Sequence, residues 1–171
     1  MAIRLVVGLG NPGARYARNR HNIGWRVLDE LARRRGLVFG AGTPAWCAAD
    51  DPAGDLVLLK PLTWMNLSGE ALVDWSRHTG VALTGALPGE AASGEEAPPS
   101  ASLAVRPLVV CDDLALPLGA VRLRIRGSSG GQNGLASVIG HLGGEDFPRL
   151  RLGIGPADEP VPPHLWPDYV L

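Results

Sequence analysis

Cysteine is almost missing from this chain of 171 residues. Cys47 and Cys111 stand alone, with neither metal-ligand spacing nor a disulfide framework. They are expected to be buried free thiols in a reducing compartment. Lysine is scarcer still. Lys60 is the sole example, and every other basic residue is arginine, which suits bidentate phosphate contact. An excess of one charge is also lacking. The 16 Lys+Arg and 17 Asp+Glu leave a formal net charge of −1, so net charge alone advertises no nucleic-acid partner. No apolar run reaches membrane-spanning length. The opening MAIRLVVG has one basic residue and a short apolar run, which reads as a first strand and not a signal peptide. A cytoplasmic protein is expected. What is present is a hydrophobic fraction of 46%, enough at this length for one domain with a real core.

The apolar periods give an α/β order. Residues 3–7 form a buried strand ending in a Gly-rich turn. From Asn22 to Arg35 the period is helical, with Ile23, Val27 and Leu31 on one face. Three arginines fill the last turn and Gly36 stops it. Two strands are expected at 45–49 and 56–60, then a helix from Asn66 to Thr79. A short strand at 108–111 ends at Asp112-Asp113. Residues 121–126 alternate strictly, predicting a half-buried strand with Val121, Leu123 and Ile125 inward and an all-arginine outer face. A helix over 133–142 and a strand over 150–154 follow, and the chain stops on a strand-like run. Residues 84–106 are rich in Ala, Gly, Pro, Ser and Glu, and predict a flexible inserted loop within one domain. The expected fold is α/β, a single three-layer domain whose twisted mixed, mostly parallel sheet is flanked by helices.

Gly8, Gly10 and Gly13 fit the spacing of a dinucleotide-binding turn after a strand. Pro12 interrupts the motif, and the acidic pair Asp29-Glu30 falls inside the helix instead of at the end of a second strand. The glycines read better as turn residues that bring backbone close to a ligand.

Polar groups gather where strands end. Asn11, Tyr16, Arg20, His21 and Asn22 follow the first strand. Asn66 closes KPLTWMN, Asp112-Asp113 end another strand, and Gln132-Asn133 open a helix after GSSGG. Such ends are where open α/β sheets bind ligands. A histidine beside an aspartate makes an oriented general base, and Asn amides can steady an oxyanion. No serine or cysteine stands in a nucleophile elbow, so direct attack by water is the simpler chemistry. No metal-ligand spacing surrounds His21, so neither metal nor cofactor is expected. Each group also has a purely structural reading: Asn66 and Asn133 as helix caps, Asp112-Asp113 as a turn. Arg122, Arg124 and Arg126 could neutralise phosphates or protect a sheet edge, and Arg149 and Arg151 could extend the same patch.

GLGNPGARYARNRHNIGW, KPLTWMNLSGEAL and CDDLALPLGAVRLRIRGSSGGQNGLASVIGHLGGEDFPRLRLGIG together resemble bacterial-type peptidyl-tRNA hydrolase, in that family's order. The resemblance implies a monomeric cytoplasmic esterase that frees tRNA from peptidyl-tRNA. It makes His21 the catalytic base and Asp112 the acid that orients it. Asn11, Asn66 and Asn133 become the polar residues that organise the site and bind the peptide end, with Tyr16, Trp64 and Met65 lining it. Arg122, Arg124 and Arg151 become tRNA phosphate contacts. A non-catalytic RNA-binding adaptor of the same fold is the alternative. Gln132 stands where the family usually has His, Asn19 where it has Thr, and Ala115 where it often has Asp. The family's C-terminal helix is expected to be absent after the final DYVL.

Overall fold

The computed structural model describes residues 4–85, 104–157 and 159–171. Seven strands form one sheet: β1 (Arg4–Gly8), β2 (Gly40–Thr43), β3 (Trp46–Asp50), β4 (Leu56–Pro61), β5 (Leu108–Pro117), β6 (Val121–Arg124) and β7 (Arg149–Gly155). Their order across the sheet is β2-β3-β4-β1-β5-β7-β6. The four central strands are parallel, while β2, β3 and β6 join antiparallel at the edges. Helix α1 (Ile23–Arg35) covers one face. Helices α2 (Ser68–Thr79) and α3 (Asn133–Leu142) cover the other, and a short α4 (Trp166–Val170) ends the chain. None of these helices is long and apolar enough to cross a membrane.

Two apolar layers hold the sheet. Leu5, Val7 and Leu59 meet Leu72, Trp75, Leu135 and Val138 from α2 and α3. On the far side Leu58 and Val110 meet Leu28 and Ala32 of α1. Burying one such leucine completely is worth about 1.5–3 kcal/mol. Helix α1 ends as its sequence dictates: Gly36 adopts the left-handed conformation, and its amide and that of Leu37 close back on the last turn.

Two glycines of the first turn, Gly8 and Gly10, are required by packing, while Gly13 takes a positive φ with no close neighbour. A Cβ on Gly8 would sit 2.6 Å from the carbonyl oxygen of Gly24, and one on Gly24 would sit 2.5 Å from that of Val110. Gly10 lies against the Trp25 ring. The glycines thus let α1 press onto β1 and β5, which fixes where the segment before α1 must lie.

Four other expectations change. Strand β2, with sequence GAGT, carries no apolar signal; it forms because it pairs with β3 and seats Gly42 on the Trp46 ring. Strand β5 does not stop at Asp112-Asp113, because β7 continues beside it and pairs Asp112 with Leu152 and Asp113 with Gly153. Strand β6 is exposed on both faces. Val121, Leu123 and Ile125 are 63%, 59% and 74% exposed, since α1 reaches β1, β4 and β5 but leaves β6 bare. Finally, the chain ends as a short helix and not a strand, with Pro167 at its first turn and Val170 packed inward. The inserted loop expected at 84–106 lies mostly outside the described residues. At its margins Leu83 bridges Val105, and the Gly85 amide bonds to Leu142.

Candidate active site

Strand β1 ends at Gly8, opposite Val110, while β5 runs on past it. Asp112 therefore projects beyond the end of β1, facing the segment that β1 leads into. That segment contains a short 3-10 turn, Arg20–Asn22, held against β5 by the tight seating of α1. The result is a contact between residues 91 apart in sequence: His21 Nδ1 lies 2.8 Å from Asp112 Oδ2. Both side chains are nearly enclosed, at 11% and 4% exposed.

The remaining oxygen of Asp112 accepts from Gln132 Nε2 at 3.0 Å. Gln132, not Asn133, caps α3: its Oε1 accepts from the Leu135 amide at 2.7 Å. With Asp112 as the acceptor, His21 donates from Nδ1 and keeps Nε2 as the basic nitrogen.

Asn11 is fixed just as closely. Its Oδ1 accepts from the Met65 amide at 2.7 Å. Its backbone exchanges two bonds with the Asn22 side chain, at 2.8 and 2.9 Å. Because Oδ1 faces an N–H, the Asn11 amide nitrogen is the group left to donate. Asn11, His21, Met65, Asp112 and Asn133 all line one pocket of about 470 Å³. Asn133 sits exposed at its rim, on the first residue of α3.

The other expected residues scatter around this centre. Tyr16 and Trp64 meet edge to face at 5.8 Å, beside the pocket and not in its lining. Asn66 is exposed in the turn before α2 and neither caps that helix nor lines the pocket. Arg151 does line it, but its guanidinium is committed to Asp113 at 3.2 Å and to the carbonyls of Ser128 and Ser129. Arg122 and Arg124 are exposed on β6, opposite Arg151 and Arg149 respectively. Arg149 does not extend the patch. It is wholly buried, bonded to the carbonyls of Glu145 and Phe147 and stacked on the Phe147 ring. That burial lowers its pKa from the usual arginine value. Cys111, beside Asp112, is buried, and desolvation pushes its thiol up to about 12. Cys47 is half-buried, and both thiols are free.

One wall escaped the sequence. Pro160, Val161, Trp166, Val170 and Leu171 close the pocket from the C-terminal side. Arg20 straps this segment down, donating to the Tyr169 carbonyl at 3.0 Å and lying 4.3 Å over its ring. The Tyr169 hydroxyl bonds to the Ile154 carbonyl. Nothing in the local pattern of 156–171 announces this, because the wall exists only when the chain returns to the site.

Among the described residues, no cluster of His, Cys, Asp and Glu could hold a metal ion. A three-layer α/β domain with a buried His–Asp pair, a fixed asparagine and a pocket at the strand ends brings together the parts that an acid–base enzyme uses. Comparison with known proteins makes that class specific. The family model described as peptidyl-tRNA hydrolase matches residues 5–87 and 92–171. The chain is 43% identical over 171 residues to the peptidyl-tRNA hydrolase of Chlorobium phaeobacteroides, covering 99% of this chain and 78% of that protein. It is 45% identical over 167 residues to that of Methylacidiphilum infernorum, covering 98% and 76%. The crystal structure of peptidyl-tRNA hydrolase from Acinetobacter baumannii superposes with a TM-score of 0.74 at 32% identity, covering 98% of this chain and 74% of that one. The chain belongs to the peptidyl-tRNA hydrolase family.

Proposed function

We propose that this chain hydrolyses the ester joining peptide to tRNA with His21 as general base. The observation that supports this most directly is the 2.8 Å bond between His21 Nδ1 and Asp112. With Nδ1 donating to Asp112, Nε2 is left unprotonated, and His21 lines the pocket. Water held there loses a proton to Nε2 as it attacks the ester carbonyl. The Asn11 amide nitrogen, locked by the Met65 amide, is suited to hold the carbonyl oxygen as it becomes an oxyanion. The proton then passes from His21 to the departing ribose oxygen, which balances the reaction. Asn133 at the rim is suited to the peptide end.

The polyanionic half of the substrate fits β6. Arg122 faces Arg151 across the strand pair and Arg124 faces Arg149, an arrangement of like charges that destabilises a free sheet. Arg151 and Arg149 are internally engaged. Arg122 and Arg124 are exposed, and they are the residues we assign to acceptor-stem phosphates. Arg151 then contributes by shaping the GSSGG loop more than by direct contact. We assign the reaction to a monomer in the cytoplasm, where translation occurs. An adaptor without catalysis is not favoured by a site with its base, orienting acid and amide all in place.

The test is turnover of a defined peptidyl-tRNA by the wild-type and His21→Ala proteins. Loss of the base should lower kcat by about 10²–10⁴-fold with tRNA binding kept. Near-normal turnover by a folded His21→Ala protein would refute the assignment.

A further inference from the structure

We infer that Gln132 is a positioning residue that sets the hydrogen-bond polarity of the His21–Asp112 pair. The inference rests on the hydrolytic reading above and adds to it a residue that reading does not use.

The amide of Gln132 has only one orientation that satisfies its surroundings. The Leu135 backbone N–H can only donate, so the atom 2.7 Å from it is the Gln132 oxygen. The NH₂ group must then face Asp112 Oδ1, at 3.0 Å, with Met65 Sδ at 3.3 Å on the same side. Gln132 is 8% exposed, so water does not readily replace these partners. Bonds therefore run inward from both sides. Gln132 donates to one carboxylate oxygen, and His21 donates from Nδ1 to the other, at 2.8 Å. The backbone of α3 dictates the orientation of Gln132. Gln132 in turn claims one acceptor of residue 112 and so aims the other at His21; where residue 112 has only one acceptor, Gln132 decides the tautomer of His21.

A carboxylate accepts on both faces and so conceals this control; an amide at position 112 exposes it. In Asp112→Asn, the single side-chain oxygen must turn toward the Gln132 NH₂ group, because two NH₂ groups cannot face each other without loss. The new NH₂ group at position 112 then points at His21 Nδ1 and demands the tautomer with the proton on Nε2, which is no base. The predicted fall in kcat is ~10⁴-fold with KM little changed, the size found when the orienting aspartate of a catalytic triad is made asparagine.

The decisive variant is the double substitution Asp112→Asn with Gln132→Glu. The carboxylate introduced at position 132 accepts from the Leu135 amide with one oxygen and from the NH₂ group at position 112 with the other. The amide oxygen at position 112 is thereby turned back to His21 Nδ1, and the productive tautomer returns. The expected result is recovery of about 10-fold or more in kcat over Asp112→Asn alone, at similar KM. A residue that merely caps α3 would give no such rescue. Gln132→Glu retains a cap acceptor, so folding should persist, and its melting temperature is measured beside its kinetics.

Gln132→Met gives a second, independent arm. It keeps length and apolar bulk but donates nothing to Asp112. Its kcat should fall about 10-fold at near-constant KM, because the Asp112 carboxylate loses the donor that holds its second oxygen and thereby aims the first at His21. A folded double variant no more active than Asp112→Asn would overturn the inference, and so would full kcat in Gln132→Met. Failure of the wild-type protein to hydrolyse peptidyl-tRNA would instead overturn the hydrolytic reading, before any variant is compared.

Discussion

Replacing Gly24 by alanine probes the link between packing and chemistry. A Cβ there would lie 2.5 Å from the Val110 carbonyl oxygen and 2.6 Å from the Leu9 backbone nitrogen, where ordinary contact starts at 3.4 Å. Both neighbours are main chain in the central sheet, so α1 must give way, by about 0.9 Å. His21 lies only three residues earlier, and its 2.8 Å bond to Asp112 would stretch to about 3.7 Å if the turn moved with the helix. That is no longer a hydrogen bond. Two opposing terms decide stability. Overpacking costs about 1–3 kcal/mol, while alanine in place of this first-turn glycine gains up to about 1 kcal/mol by narrowing the unfolded ensemble. The net loss is about 0–2 kcal/mol, a fall of several degrees at most in melting temperature for a domain this size. Catalysis has no such offset, and a misplacement near 1 Å costs about 10²-fold. The expected signature is thus a protein that melts almost normally and turns over peptidyl-tRNA about 100-fold more slowly. Thermal denaturation with steady-state kinetics on one preparation measures both. Wild-type kcat in Gly24→Ala would refute the claim that close glycine packing places His21.

Two further outcomes follow. Arg122→Ala and Arg124→Ala should each weaken tRNA binding and reduce the slope of log affinity against log salt by about 1, with kcat at saturation little changed; an unaltered slope would remove β6 from the interface. Cys111, its thiol pushed up to about 12 by burial, should resist alkylation in the native protein at pH 8 and react only after unfolding, as mass spectrometry after iodoacetamide treatment would show; rapid native labelling of Cys111 would contradict the packing around Asp112.

Much of this protein is legible in its residues. The apolar period of 23–35, the three terminal arginines and Gly36 specify α1 locally, and the structure ends that helix at Arg35. The run at 133–142 likewise becomes α3 at its expected limits. The chemistry of the site is also local in kind, since a histidine, an acid and several amides near strand ends are written in the sequence. What sequence leaves open is distance. Nothing local brings His21 to Asp112. Two glycines do it, by letting a helix lie on backbone that any larger side chain would hold away. Whether an arginine is a ligand or a buried strut is equally undecidable from alternation. Arg122, Arg124, Arg149 and Arg151 read alike in sequence, yet β6 at the edge leaves the first two in solvent while β7, between β5 and β6, buries or engages the others. Gln132 shows the same division. Its identity is fixed by the chain, but its meaning comes from three partners: the Leu135 amide three residues on, Asp112 from β5, and Met65 from the turn before α2. Sequence alone determines the elements and the inventory of reactive groups, because those depend on periodicity and residue type. Tertiary structure alone decides which groups meet and which way each amide and imidazole must face, because those depend on close packing between segments far apart in the chain.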